Sequence, residues 1–214
     1  MKSTPGIEEL EEGSGYEKVL TMHYAEIAPF VISHLTRFSM PMTLIWITAA
    51  VSLFLSVWFW PGLRYPAGDP QLIRGLVAGL LVIPLLMIPV HEALHLIPFR
   101  LAGARDICLG ADLHQGIFYV TAHRFVAGRR LFAMVALTPF IAIAAGIFIA
   151  MAFCPAWWKW VLAMSLTVHT TMCAGDAALL GFMIGLKNRD AYTWDDADRK
   201  EAYFYVPQNR ENDQ

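Results

Sequence analysis

Ile88-Pro89-Val90-His91-Glu92-Ala93-Leu94-His95-Leu96-Ile97-Pro98 decides how this chain is read. Two imidazoles and a carboxylate fall within five residues of an otherwise apolar run from about Leu72 to Phe99. On a helix, His91 and His95 are separated by about 40° of rotation and project from one face, with Glu92 on the adjacent face. That spacing suits two ligands of one Zn²⁺ with the intervening carboxylate as general base. Ionisable groups are expensive at membrane depth and persist there where they have partners or a function.

The composition agrees with a membrane setting. Hydrophobic residues make up 57% of the 214 and charged residues 16%, with a mean hydropathy of +0.47. A soluble domain carries about a quarter charged residues. A net charge of -2 speaks against nucleic acid as a partner. Cys108, Cys154 and Cys173 are widely spaced and odd in number, so no disulfide framework is implied. The first forty residues lack the basic-then-apolar order of a cleaved signal peptide, so the first span is expected to remain as an anchor.

Four apolar stretches approach or exceed the ~20 residues that cross a bilayer. They run from about Met40 to Trp60, Leu72 to Phe99, Leu131 to Phe153 and Trp157 to Leu186. The expected fold is therefore an all-α membrane protein of about four transmembrane helices. A short strand-like or re-entrant insert lies between helices two and three: Ile107-Cys108-Leu109 and Gly116 to Thr121 have the residue types of a hairpin. As a strand it offers a substrate a docking edge; as a re-entrant cap it does not. Pro89 is expected to open or kink the motif helix just before His91. Residues 1–37 form a cytoplasmic arm, disordered at first and then an interfacial helix from Tyr16 to Leu35 broken at Pro29. Residues 38–187 form the membrane domain, and 188–214 a polar cytoplasmic tail.

All but Arg64, Arg74 and Lys159 of the 16 Lys and Arg fall in the arm, the loop after span two, and the tail. By the positive-inside rule both termini are cytoplasmic. A zinc site also needs a third protein ligand, and Asp176 is the sole carboxylate in the fourth stretch. It precedes Lys187 by eleven residues, about 16 Å along a helix, and His91 precedes Arg100 by nine, about 13 Å, so their depths match. Cys173 is an alternative soft ligand. On an unbroken helix His169 lies ~10 Å deeper and suits a hydrogen bond within the bundle. His114 and His123 fit a solvated loop.

The order of these residues carries a resemblance: a membrane H-E-x-x-H, a strand-like insert, a span with Thr138-Pro139-Phe140, then Ala174-Gly175-Asp176. Over most of residues 80–207 the chain resembles a bacterial family of zincin peptidases whose domain is otherwise of unknown function. It is distantly similar to site-2-type intramembrane metalloproteases. The resemblance implies His91 and His95 as paired ligands, Asp176 as the third and Glu92 as catalytic base. It departs from the site-2 pattern after the last ligand, where Ala177 replaces the usual Gly and no Asn is near. The expectation is a zinc-dependent peptidase in a bacterial cytoplasmic membrane, acting near its cytoplasmic face on a membrane-associated protein or peptide. The rival class is a non-catalytic metal-binding sensor or scaffold, which needs no carboxylate off the ligand face.

Overall fold

The computed structural model describes residues 4–13, 15–63, 65–112, 117–186 and 190–208. The expectations for His114, Gly116 and Lys187 lie outside them. A short helix α1 (Ile7–Glu11) leads into strand β1 (Tyr16–His23) and helix α2 (Ile27–His34). The membrane-type part contains α3 (Met40–Trp58), α4 (Pro70–Val77), a π-helical turn at Ala78–Val82 and α5 (Ile83–Leu101). A hairpin, β2 (Ile107–Asp112) and β3 (Ile117–Ala122), and a short strand β4 (Ala127–Gly128) precede α6 (Arg129–Phe153). Then come α7 (Ala156–Met172), α8 (Ala174–Gly185), β5 (Tyr192–Asp196) and β6 (Glu201–Pro207).

The chain is therefore not all-α. β1, β6, β5 and β4 form one antiparallel sheet in that order, and β2 and β3 form another. The expected helix from Tyr16 is a strand in its first half, running from Tyr16 opposite Pro207 to His23 opposite Glu201. Local periodicity could not show this, because the partner strand is near the other end of the chain. Pro29 does not break α2. It sits in the first turn, where its missing N–H has no helical acceptor to lose. The arm and tail thus share one sheet, with Leu10, Trp194, Tyr203 and Tyr205 buried together on it.

Three helical stretches, Met40–Trp58, Pro70–Leu101 and Arg129–Phe153, are long and apolar enough to cross a membrane. That marks a membrane-associated chain, with three such stretches among the described residues rather than the four expected. The fourth is divided at Cys173 into α7 and α8, with Cys173 ending one helix and opening the next. Pro89 leaves α5 continuous.

α7 is the centre of the bundle: Val161, Ala163, Leu166 and Thr170 are fully buried. Lipid gives apolar helices no hydrophobic reason to associate, so close backbone approach and interhelical hydrogen bonds take over. Both occur here. A Cβ on Gly79 would meet the Val161 carbonyl at 2.9 Å, so only glycine lets the π turn lie against α7. Ser165 Oγ donates to Gly79 O at 3.0 Å, and Thr167 Oγ1 donates to Ser52 Oγ on α3 at 2.9 Å. The outer face of α3 leaves Trp46, Ile47, Phe54 and Trp58 more than half exposed, as a lipid-facing surface requires.

At the end of α5, Gly103 takes φ +93° and the Ala104 N–H bonds back to Phe99 O. This left-handed stop turns the chain into β2. β3 then lies against α5, and His123 bridges to Asp195, so the hairpin and the larger sheet meet over the motif helix.

Candidate metal centre

α5 delivers His91 and His95 from one face, one helical turn apart, both about 95% buried. Asp176 comes from the first turn of α8, where the helix dipole favours a carboxylate. Its Oδ2 is 3.2 Å from His91 Nε2 and 3.5 Å from His95 Nε2. Zinc bonds of about 2.0–2.2 Å in tetrahedral array separate neighbouring donors by about 3.3–3.6 Å. The two histidine–aspartate separations lie at or close to that range, as two ligand pairs of one such ion would.

What lies behind each imidazole decides which nitrogen is free. His95 Nδ1 is 2.9 Å from Val135 O. A carbonyl only accepts, so Nδ1 carries the proton and Nε2 presents its lone pair towards Asp176. That carbonyl is available because of Pro139. In α6 the acceptor for residue 139 is Val135 O, and a proline there has no N–H to give. The Thr138-Pro139-Phe140 segment thus serves the site from another helix. His91 Nδ1 is 3.3 Å from His169 Nε2 on α7. His169 thus makes a hydrogen bond within the bundle, as expected, and its partner is His91. The turn at Cys173 brings both α7 and α8 onto His91. Cys173 Sγ lies behind the ring, 3.9 Å from His91 Nδ1 and 3.6 Å from His169 Nε2, away from the Asp176 side.

Glu92 is half-buried, and its carboxylate comes within 4.8 Å of donor nitrogens of both His91 and His95. Glu92, His91, His95 and Asp176 border one cavity of about 520 Å³, the size range of pockets that enclose a ligand. Its other walls include Val31 of α2, Phe132 of α6, Phe118 to Thr121 of β3, and Thr193 and Asp195 of β5.

Sequence reasoning missed the last of these. Asp195, in a run of polar residues, looks like a solvated tail. Instead burial pushes its carboxyl up to about 6, partly offset by a hydrogen bond from Thr121. Tyr24 beside it stays a neutral phenol, its pKa raised by burial and then by the Asp195 charge. His123 is not in a solvated loop either. Its Nδ1 accepts from the Ala197 N–H at 3.1 Å, so Nε2 holds the proton and faces Asp198. Asp196 accepts from the Asp198 and Arg199 N–H groups. The His123–Asp196–Asp198 group is accounted for as a turn holding β5 to β6.

Neither the curated proteins nor the solved structures contain a match to this chain. A family model described as "Putative zincin peptidase" matches residues 84–192, just over half of the chain, from the start of α5 to the start of β5. His91, Glu92, His95 and Asp176 all fall inside it, and the chain belongs to that family.

Proposed function

We propose that the chain is a zinc-dependent, membrane-embedded peptidase in which His91, His95 and Asp176 hold the metal and Glu92 is the general base. The observation that carries this is the convergence of the two Nε2 atoms on Asp176 Oδ2 at 3.2 and 3.5 Å, with Glu92 on the same cavity. When bound, zinc supplies Lewis acidity towards a peptide carbonyl and towards water. Glu92 takes the proton of the attacking water and hands it to the leaving amine. The hydrogen bonds that His95 Nδ1 donates to Val135 O and His91 Nδ1 to His169 Nε2 hold the two imidazoles in the ligating orientation.

The substrate is a protein or peptide segment at the membrane. Among the described residues β3 forms a ladder with β2 alone, meeting β5 just past its end where His123 bridges to Asp195, and its residues Phe118 to Thr121 border the cavity. This supports the docking-edge reading of the insert, in which an extended substrate pairs with the strand. The distribution of Lys and Arg supports a cytoplasmic location for both termini, and so for the sheet built from arm and tail.

The test uses purified full-length protein. Wild type should carry about one zinc per chain, and His91→Ala, His95→Ala and Asp176→Ala should each lose it. Glu92→Gln should keep the zinc while peptide hydrolysis falls by about 10²–10⁴-fold. Zinc retained in both His variants would remove the ligand assignment. Zinc lost in Glu92→Gln would make Glu92 a ligand rather than a base. A Glu92→Gln protein with unchanged cellular activity would favour a sensor or scaffold.

A further inference from the structure

The cavity at the metal centre has a second polar end, formed by the two sheets rather than the bundle. Asp195 on β5, Thr121 on β3 and Tyr24 before α2 all border it. Thr121 Oγ1 donates to Asp195 Oδ2 at 2.5 Å. Among the described residues no Lys, Arg or His pairs with that carboxylate, and none of the cavity's wall residues is Lys or Arg. A buried carboxylate with one neutral donor is short of hydrogen bonds and of countercharge. Tyr24 is 91% buried; its hydroxyl lies near Thr121 but has no partner at hydrogen-bond distance among the described residues. A carboxylate with a single neutral donor and an unpaired phenol oxygen therefore border the space a substrate would fill.

We infer that Asp195, Tyr24 and Thr121 form a recognition pocket for a cationic side chain, so that the substrate is a peptide carrying Lys or Arg beside the bond presented to the metal centre. An ammonium or guanidinium group donates to the free Asp195 oxygen and to the Tyr24 hydroxyl oxygen, which answers both shortages together. The Tyr24 and Tyr119 rings, 4.7 Å apart at 68°, provide aromatic faces for the cation. Met22 and Phe118 border the cavity as apolar surface for its methylene stem. Thr121 fixes the carboxylate and is a positioning residue. The inference rests on the peptidase reading for its substrate class, but the pocket binds through groups that reading does not use.

The experiment measures binding separately from cleavage. Full-length, zinc-loaded Glu92→Gln protein in detergent is titrated with fluorescent peptides in which a single Lys is moved along an Ala–Leu background. Each has a partner with norleucine in place of the Lys, and anisotropy is read. At one position the Lys peptide should bind about tenfold or more tightly than its norleucine partner. Adding Asp195→Asn should abolish that preference with zinc content unchanged. Tyr24→Phe should reduce it by a few-fold, and carries the test if the Asn variant misfolds. Equal binding of Lys and norleucine peptides at every position overturns the inference. So does a preference that survives Asp195→Asn, or no binding by any peptide. Lys-selective binding without hydrolysis by the Glu92-intact protein would instead remove the peptidase reading and leave the pocket standing.

Discussion

The helical bundle and the sheet above it are held together by different chemistry. In the bundle close approaches of small residues recur, Gly79 against the α7 backbone, Ser165 to Gly79 O, Thr167 to Ser52, beside an aromatic cluster of Trp60, Trp157 and Trp160 at the start of α7. In the sheet the contacts are large: Trp194 and Tyr203 lie 4.5 Å apart, and Phe204 packs edge-on against Phe132 of α6 and Phe182 of α8. The surroundings explain the contrast. A helix surrounded by lipid gains nothing by burying more hydrocarbon, whereas a sheet that has water as its alternative gains most from large aromatics. The cavity bordered by His91, His95 and Asp176 lies where the two meet.

The comparison breaks most sharply at Trp194. Trp194→Ala should destabilise the sheet by about 3–5 kcal/mol, read as protease sensitivity of the arm and tail, with zinc content kept. If zinc is lost in parallel, sheet and bundle are one cooperative unit and the division fails.

Asp195 gives the next largest effect. Its carboxyl is raised to about 6 in the folded state against 3.8 in the unfolded chain. Between those values the folded state binds the extra proton, so this group's stabilising contribution is full below about 4 and is lost as pH rises through 6, about 3 kcal/mol at most. Unfolding of the sheet followed from pH 4 to 7 should show that loss, and Asp195→Asn should remove it. Identical profiles in the two proteins would mean the carboxyl is not buried in solution.

Smaller effects sharpen the bundle side. His169→Phe keeps a ring behind His91 but removes the acceptor for Nδ1, and should weaken zinc binding by about 10–100-fold, measured by competition with a chelator. His169→Gln, which restores an acceptor, should recover part of it. Zinc affinity unaltered in the Phe variant would make His169 a packing residue only. Pro139→Ala returns an N–H to Val135 O. Because a carbonyl has two lone pairs, His95 keeps a weakened bond, and zinc affinity should fall by about three- to tenfold. A wild-type value would detach Pro139 from the site.

These differences also explain what was legible in the sequence. The His91/His95 pair is local to one helix, so 3.6-residue geometry suffices to place it. Asp176 stands out because a carboxylate in an apolar stretch is rare. The hairpin from Ile107 to Thr121 follows from β-branched and aromatic residues close together. The larger sheet was hidden because Met22 pairs with Ala202 from the far end of the chain, and because Asp195 and Asp196 disguise a buried strand as a polar tail. The break at Cys173 has no proline at the turn to mark it, so the sequence shows one span where there are two helices and does not show which residue His169 faces. Pro139 stands out in the sequence only as part of Thr138-Pro139-Phe140; its purpose depends on which helix faces His95.

The pairing of β1 with β6 has a consequence for the order of events during synthesis. β1 emerges early and must wait for about 180 further residues, on the order of 10–40 s of translation, before its partner exists. All three apolar stretches have been made by then. The wall holding Asp195 and Thr193 therefore closes last. On the proposed reading, a nascent chain can bring His91, His95 and Asp176 together while the cavity is still open on that side, so the groups that would select a substrate are the last to join those that would cleave it.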